Sequence, residues 1–186
     1  MVYYEEAYKF AYNRHKGQKR KFVGTDYISH PVWVAELIIR LTNDPILAAA
    51  GLLHDTVEDT TDSPLEAYKL FEELLEYFGV EVAYLVAEVT IDETIMKLKG
   101  KPTYLADRML DMSLRALLLK LCDRLHNVMG LFNPKIPTKF VRRYINETDF
   151  IISKVKDRKD LKLIHKALIK RIEATSSKVK RLRMEK

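Results

Sequence analysis

The chain has 186 residues, 47% of them hydrophobic and 31% charged, with a formal net charge of +6. That is enough for one domain with a substantial core, and the composition excludes a disordered or fibrous polypeptide. No apolar run reaches membrane-spanning length, and the opening Met1-Val2-Tyr3-Tyr4-Glu5-Glu6 is unlike a signal peptide.

In chain order, Tyr4, Ala7, Tyr8, Ala11 and Tyr12 recur with helical spacing over residues 3 to 15, and Gly17 stops that first helix. A basic loop runs from Gln18 to Tyr27. Pro31 suits the first turn of a second helix reaching about Leu41, which puts His30 at its mouth. Asn43-Asp44-Pro45 turns the chain, with Asp44 as a cap, and Ile46 to Leu53 reads as a helix buried nearly all round. Ser63-Pro64-Leu65-Glu66 matches a capping box opening a helix that runs to Phe78 and stops at Gly79. Val80 to Val89 is read as helix, because no second strand-like run exists for it to pair with. Lys97 to Pro102 is read as a basic turn. Residues 104 to 132 carry a helical pattern with a break near Asp111-Met112-Ser113, and Asn133-Pro134 and Ile136-Pro137 mark a loop. Two helices, about 138 to 156 and 159 to 182, complete an all-α chain.

No repeat, low-complexity stretch or linker interrupts the pattern, so residues 1–186 are expected to form a single domain. Its last part is a basic helical extension. From Ser153 to Lys186, thirteen Lys and Arg stand against four Asp and Glu, a surplus of +9 that leaves the remainder at −3 within the total of +6. The single Cys122 excludes an internal disulfide framework and sits among apolar residues as a small buried hydrophobe, which fits a reducing cytoplasm.

The chemistry concentrates in Leu52-Leu53-His54-Asp55-Thr56-Val57-Glu58-Asp59. On one continuous helix, positions 54, 55, 58 and 59 would fall within an arc of roughly 140°. One imidazole and three carboxylates would then share a face, and such a cluster must meet a cation, strong donors or water. A divalent metal meets that need; for Glu58 and Asp59 alone, an exposed acidic helix end reads equally well. His30 and Asp123 supply a further imidazole and carboxylate from other helices. Mixed nitrogen and oxygen ligands suit Mn, Fe or Zn better than Ca or Mg.

The order His30, His54-Asp55, Asp123 resembles the HD-domain metal-dependent phosphohydrolases. The finer text is similar to the hydrolase domain of RelA/SpoT-type alarmone enzymes over roughly residues 4 to 150. It is carried by His15-Lys16-Gly17-Gln18-Lys19-Arg20-Lys21, Tyr27-Ile28-Ser29-His30-Pro31, Leu53-His54-Asp55-Thr56-Val57-Glu58-Asp59-Thr60 and Lys120-Leu121-Cys122-Asp123-Arg124-Leu125-His126-Asn127. The length is similar to that of the small stand-alone alarmone hydrolases. The resemblance implies a helical HD-domain bundle with Mn²⁺ held by His30, His54, Asp55 and Asp123. It also implies hydrolysis of the 3′-pyrophosphate of (p)ppGpp to GDP or GTP plus pyrophosphate. Glu58 and Asp59 match the family's acidic pair, which works on the attacking water and the leaving 3′-oxygen. Arg20 and Lys21 match base-facing residues, and Asn127 a ribose-contacting one.

Lys139, Arg142 and Arg143 share one helix and could clamp a pyrophosphate, a solvated face being the equal alternative. The text departs from the family in the longer Arg20–His30 loop, in Asp26 before Tyr27, and in Val128-Met129-Gly130 after Asn127. Those departures bear on the nucleotide, so ppApp, NADPH or a nucleoside monophosphate is the alternative substrate. A nucleic-acid-binding role for the basic tail is the reading from another class; no aromatic platform interleaves with Lys178, Lys180, Arg181 and Arg183.

Overall fold

The computed structural model describes residues 2–184. Met1, part of the stretch read against a signal peptide, and Glu185 and Lys186, at the end of the basic tail, lie outside the described residues. The described residues form ten helices and no strand beyond one isolated bridge, Lys19 with Asp26, in keeping with the all-α expectation. No described helix is long and apolar enough to cross a membrane. The chain divides into two compact units, one comprising the residues up to Arg20 with Gly24–Ile91, the other Lys21–Val23 with the residues from Asp92 onward.

The first unit contains α1 (Val2–Arg14), α2 (Ser29–Thr42), α3 (Pro45–Leu53), α4 (Thr56–Thr60) and α5 (Pro64–Val89). The short α3 is its centre, packed by α1, α2 and α5. Asp44 caps it by accepting from the Leu47 amide at 2.9 Å, and Pro45 occupies the first turn, where its missing N–H costs nothing. Every residue from Leu47 to Leu53 is buried. The run Ala48-Ala49-Ala50-Gly51 keeps that helix thin, and small residues answer it on α1 (Ala7, Ala11) and α2 (Ala35). At Gly51 even a Cβ would stand 2.9 Å from Ile38 Cδ1 and 3.3 Å from the Ala35 Cα. Ser63 opens α5 by accepting from the Glu66 amide. Gly79, at φ 77 and ψ 171, interrupts α5 where a stop was expected, and helix resumes at once.

The second unit contains α6 (Glu93–Lys99), α7 (Lys101–Asp111), α8 (Leu114–Gly130), α9 (Thr138–Val155) and α10 (Leu163–Arg183). Here the basic turn expected over Lys97 to Pro102 is corrected. Lys97 and Lys99 lie in the last turn of α6, which Asp92 caps through the Ile95 amide and a Glu93–Lys97 pair at 2.7 Å supports. Gly100, at φ 81, makes the turn by itself. Ser113 caps α8, whose residues Ala116 to Leu125 are all buried as it packs against α9 and α10. Cys122 is fully buried there, and burial pushes its thiol up to about 12. His165 is structural, donating Nε2–H to the Leu114 carbonyl at 2.8 Å. Phe22 packs on the cluster of Val128, Leu131, Ile136, Val141, Ile145 and Val179, with its ring 5.0 Å from that of Phe140. That packing sustains a left-handed φ of 69 at a bulky residue.

Candidate active site

The sequence runs from α3 into His54 and Asp55, and there the helix breaks. The single motif helix expected through Asp59 is corrected: α3 ends at Leu53 and α4 begins at Thr56. Both junction residues keep right-handed backbone angles (φ −59, ψ −30 and φ −97, ψ −5), so helical spacing persists without a continuous helix. The Thr56 hydroxyl donates to the Leu53 carbonyl at 2.7 Å, satisfying a group freed at the end of α3. The Asp59 amide still reaches the Asp55 carbonyl at 2.9 Å, keeping the two side chains one turn apart.

The structure brings His30, His54 and Asp55 together, each buried, with a ligand atom from each lying within 4.8 Å of the others. His54 Nε2 lies 3.1 Å from Asp55 Oδ1, and His30 Nε2 lies 3.4 Å from Asp55 Oδ2. The imidazole rings face each other edge to face, 5.3 Å between centroids. His54 Nδ1 is 2.8 Å from the Gly51 carbonyl, which can only accept. That bond fixes the proton on Nδ1 and leaves the Nε2 lone pair turned to the cluster, the tautomer a metal ligand requires. Two imidazole nitrogens and a carboxylate oxygen, spaced as neighbouring ligands of one ion are, fit a divalent metal of the Mn, Fe or Zn kind.

Around this trio lie further groups, of which sequence reasoning gave no role to Tyr27 or Gln18. Tyr27, quoted only as part of a motif, donates its hydroxyl to Asp55 Oδ2 at 2.7 Å. His15 orders the loop, its Nδ1 meeting Gln18 Oε1 at 2.8 Å, and Gln18 donates to the Asp59 carbonyl at 2.8 Å. Glu58 and Asp59 both have solvent-exposed surface on α4. Desolvation, then the Asp55 charge, raises the Asp59 carboxyl above its ordinary range, against opposing effects from Tyr27, His15 and His54. Arg20 lays its guanidinium over the Tyr27 ring at 5.8 Å.

Asp123 and Asn127 lie on α8, in the second unit. Asp123 is buried and accepts from Asn127 Nδ2 at 2.5 Å, with the buried Lys120 ammonium 3.2 Å from its other oxygen. Lys120 was legible in principle, as a cation one turn before an Asp on an apolar helix. Arg124, adjacent to Asp123 in sequence, instead pairs with Glu147 at 2.8 Å. Lys21 is exposed, with its ammonium 5.4 Å from the Phe22 ring. Arg142 is exposed on α9, as are Lys139 and Arg143. Arg143 and Lys101 line a cavity of about 750 Å³ together with Phe140, Tyr144 and Phe150.

An all-helical chain that gathers two histidines and an aspartate at a helix junction belongs to the class of His-Asp metal sites. A family described as the HD domain matches residues 7–149, and the chain belongs to that family. It is 39% identical over 145 residues to the mouse guanosine-3′,5′-bis(diphosphate) 3′-pyrophosphohydrolase MESH1, covering 76% of each protein. It is 38% identical over 138 residues to the guanosine-3′,5′-bis(diphosphate) 3′-pyrophosphohydrolase of Spiroplasma citri, matching 70% of this chain but 17% of that longer protein. Its fold is similar, at a TM-score of 0.74 and 25% identity over 99% of this chain and 97% of the other, to a metazoan ortholog of SpoT described as hydrolysing ppGpp with a role in starvation responses.

Proposed function

We propose that this chain is a metal-dependent pyrophosphohydrolase that removes the 3′-pyrophosphate of (p)ppGpp, giving GDP or GTP plus pyrophosphate. The observation that carries the reading is the His30, His54 and Asp55 cluster standing one helical turn before Asp59. The name borne by the mouse relative, over 76% of both chains, supports the substrate. Asp123 is the further ligand, and Mn²⁺ is the ion these nitrogen and oxygen donors would hold. When bound, such an ion supplies an acidified water and offsets charge building on the phosphoryl oxygens. Glu58 and Asp59 divide two proton transfers between them, one from the attacking water and one to the leaving 3′-oxygen.

Arg20, its guanidinium 5.8 Å from the centre of the Tyr27 ring, offers a planar cation to the guanine base, and Lys21 offers a second cation. Asn127, whose amide donates to Asp123, offers its side chain to the ribose. Arg142 takes a phosphate, and the neighbouring Lys101 and Arg143 offer cations beside aromatic rings, a lining suited to a phosphorylated nucleotide. The whole chain works as one hydrolase domain in the cytoplasm, with residues 153–186 its basic extension. Its partner in this reading is a small-molecule nucleotide, with nucleic-acid binding through the basic tail the lesser alternative.

The test is anion-exchange analysis of ppGpp incubated with the protein and Mn²⁺, beside an EDTA control and parallel reactions on ppApp and NADPH. GDP and pyrophosphate should appear only with metal, and fastest from ppGpp. Asp123→Ala should lose both bound metal and turnover, whereas Glu58→Ala should keep metal and lose turnover. Full activity in either variant, or equal rates on NADPH, would overturn the assignment.

A further inference from the structure

Tyr27 has a place in this site that the metal ligands and the acidic pair leave unexplained. Its hydroxyl donates to Asp55 Oδ2 at 2.7 Å. The phenol thus touches the carboxylate that His30 and His54 both face. The ring is held from several sides. The His15 ring packs on it at 4.8 Å and 31°, Arg20 lies over it at 5.8 Å, and the His30 ring meets it edge to face at 6.0 Å. Its backbone is fixed too, the amide donating to the Gln18 carbonyl at 3.0 Å and the carbonyl accepting from the His30 amide at 2.9 Å. Gln18 in turn donates to the Asp59 carbonyl at 2.8 Å, so the loop that carries Tyr27 is tied to that residue.

A carboxylate free to rotate about Cβ–Cγ presents its oxygens to a metal in many orientations. Asp55 is not free. Oδ1 faces His54 Nε2 at 3.1 Å, while Oδ2 takes the Tyr27 proton at 2.7 Å and faces His30 at 3.4 Å. Groups that hold a ligand in one orientation in this way commonly change metal affinity tenfold or more when removed.

We infer that Tyr27 is the positioning residue of this centre, its single hydroxyl setting the rotation of Asp55. The effect on metal affinity rests on the cluster alone; the effect on turnover rests on the hydrolase reading.

Tyr27→Phe in the full chain removes only the hydroxyl and keeps the ring that His15 and Arg20 pack on. Isothermal titration of the EDTA-stripped protein with Mn²⁺ is expected to show about tenfold weaker binding. At saturating Mn²⁺, kcat on ppGpp should fall by about tenfold while KM stays within about twofold, because the hydroxyl orders a metal ligand without serving substrate binding. Circular-dichroism melting within a few degrees of the parent would establish that the fold is kept. Mn²⁺ affinity within twofold of the parent, an unchanged kcat, or a loss appearing only in KM would each overturn the inference. Should the parent fail to cleave ppGpp at all, the hydrolase reading falls, and the Mn²⁺ titration still decides the role of Tyr27.

Discussion

Gly51→Ala asks whether the close approach of α2 and α3 is what builds the metal cluster. α2 carries His30 near its start and α3 delivers His54 at its end, so their spacing governs the 5.3 Å between the imidazole centroids. The added Cβ would stand 2.9 Å from Ile38 Cδ1 and 3.3 Å from the Ala35 Cα. Carbon atoms in good contact sit about 3.5–4.0 Å apart, so both approaches are too short. The Ile38 methyl lies at the end of a side chain but is wholly buried, and the Ala35 backbone moves only if α2 does. Overpacking of this kind costs about 1–3 kcal/mol, whereas Ala in place of Gly inside a helix returns about 1 kcal/mol. The clash should win, with a net loss of about 1 kcal/mol in urea unfolding. Displacing α2 by a few tenths of an ångström also spreads the ligands, so Mn²⁺ affinity should fall severalfold. Ile38→Val deletes the offending methyl and should recover part of both losses when combined with Gly51→Ala, a coupling that a double-mutant cycle reads directly. A Gly51→Ala protein more stable than its parent, with Mn²⁺ affinity unchanged, would refute the reasoning.

Arg124 is buried against Glu147 at 2.8 Å and over the Tyr144 ring at 5.0 Å. Arg124→Ala strands the Glu147 carboxylate and should cost about 3–5 kcal/mol in denaturant titration; a loss near zero would mean that Glu147 simply swings to solvent. Cys122 makes a pH prediction: its thiol ordinarily titrates at 9.0, and burial pushes it up to about 12 in the folded chain. The unfolded chain therefore loses that proton first, so stability is intact below pH 9 and falls between 9 and about 12, and Cys122→Ala should show a shallower fall in denaturation midpoint across that window.

Much of this fold was legible because its punctuation is local. Asp44-Pro45 and Ser63-Pro64 each fix a helix start with one side chain, and the structure uses both as caps. The break at His54-Asp55 was not legible, since neither residue is Gly or Pro and both keep right-handed angles that preserve helical spacing. α6 was missed because three lysines within five residues read as solvated loop, while the deciding signals were the Asp92 cap and the single Gly100. The division after Ile91 has no linker to announce it; Thr90 ends α5, Asp92 caps α6, and one residue separates them. At the site, the His-Asp text pointed to the cluster, but the groups that orient it come from elsewhere. Tyr27 reaches Asp55 across 28 positions, and Gln18 reaches Asp59 across 41. Periodicity cannot express such separations, because they are set by how α1, α2 and α3 pack.

The basic tail shows what placement adds to a charge surplus. Composition puts Arg183, Lys180 and Lys178 on a helix that could face a polyanion. The structure gives each of them a contact within the second unit, with Lys178 still exposed. Arg183 donates to the carbonyls of Leu131 and Ile136 at 2.8 and 2.7 Å, and also to that of Asn133, all following the C-terminal end of α8. They lie just past the end of α8, where its dipole favours a cation. Lys180 pairs with Asp149, and the Lys178 ammonium lies 5.7 Å from the centre of the Phe132 ring. These contacts make part of the surplus structural, at the end of α8 and the flank of α9, while Lys166, Lys170, Arg171 and Arg181 remain exposed.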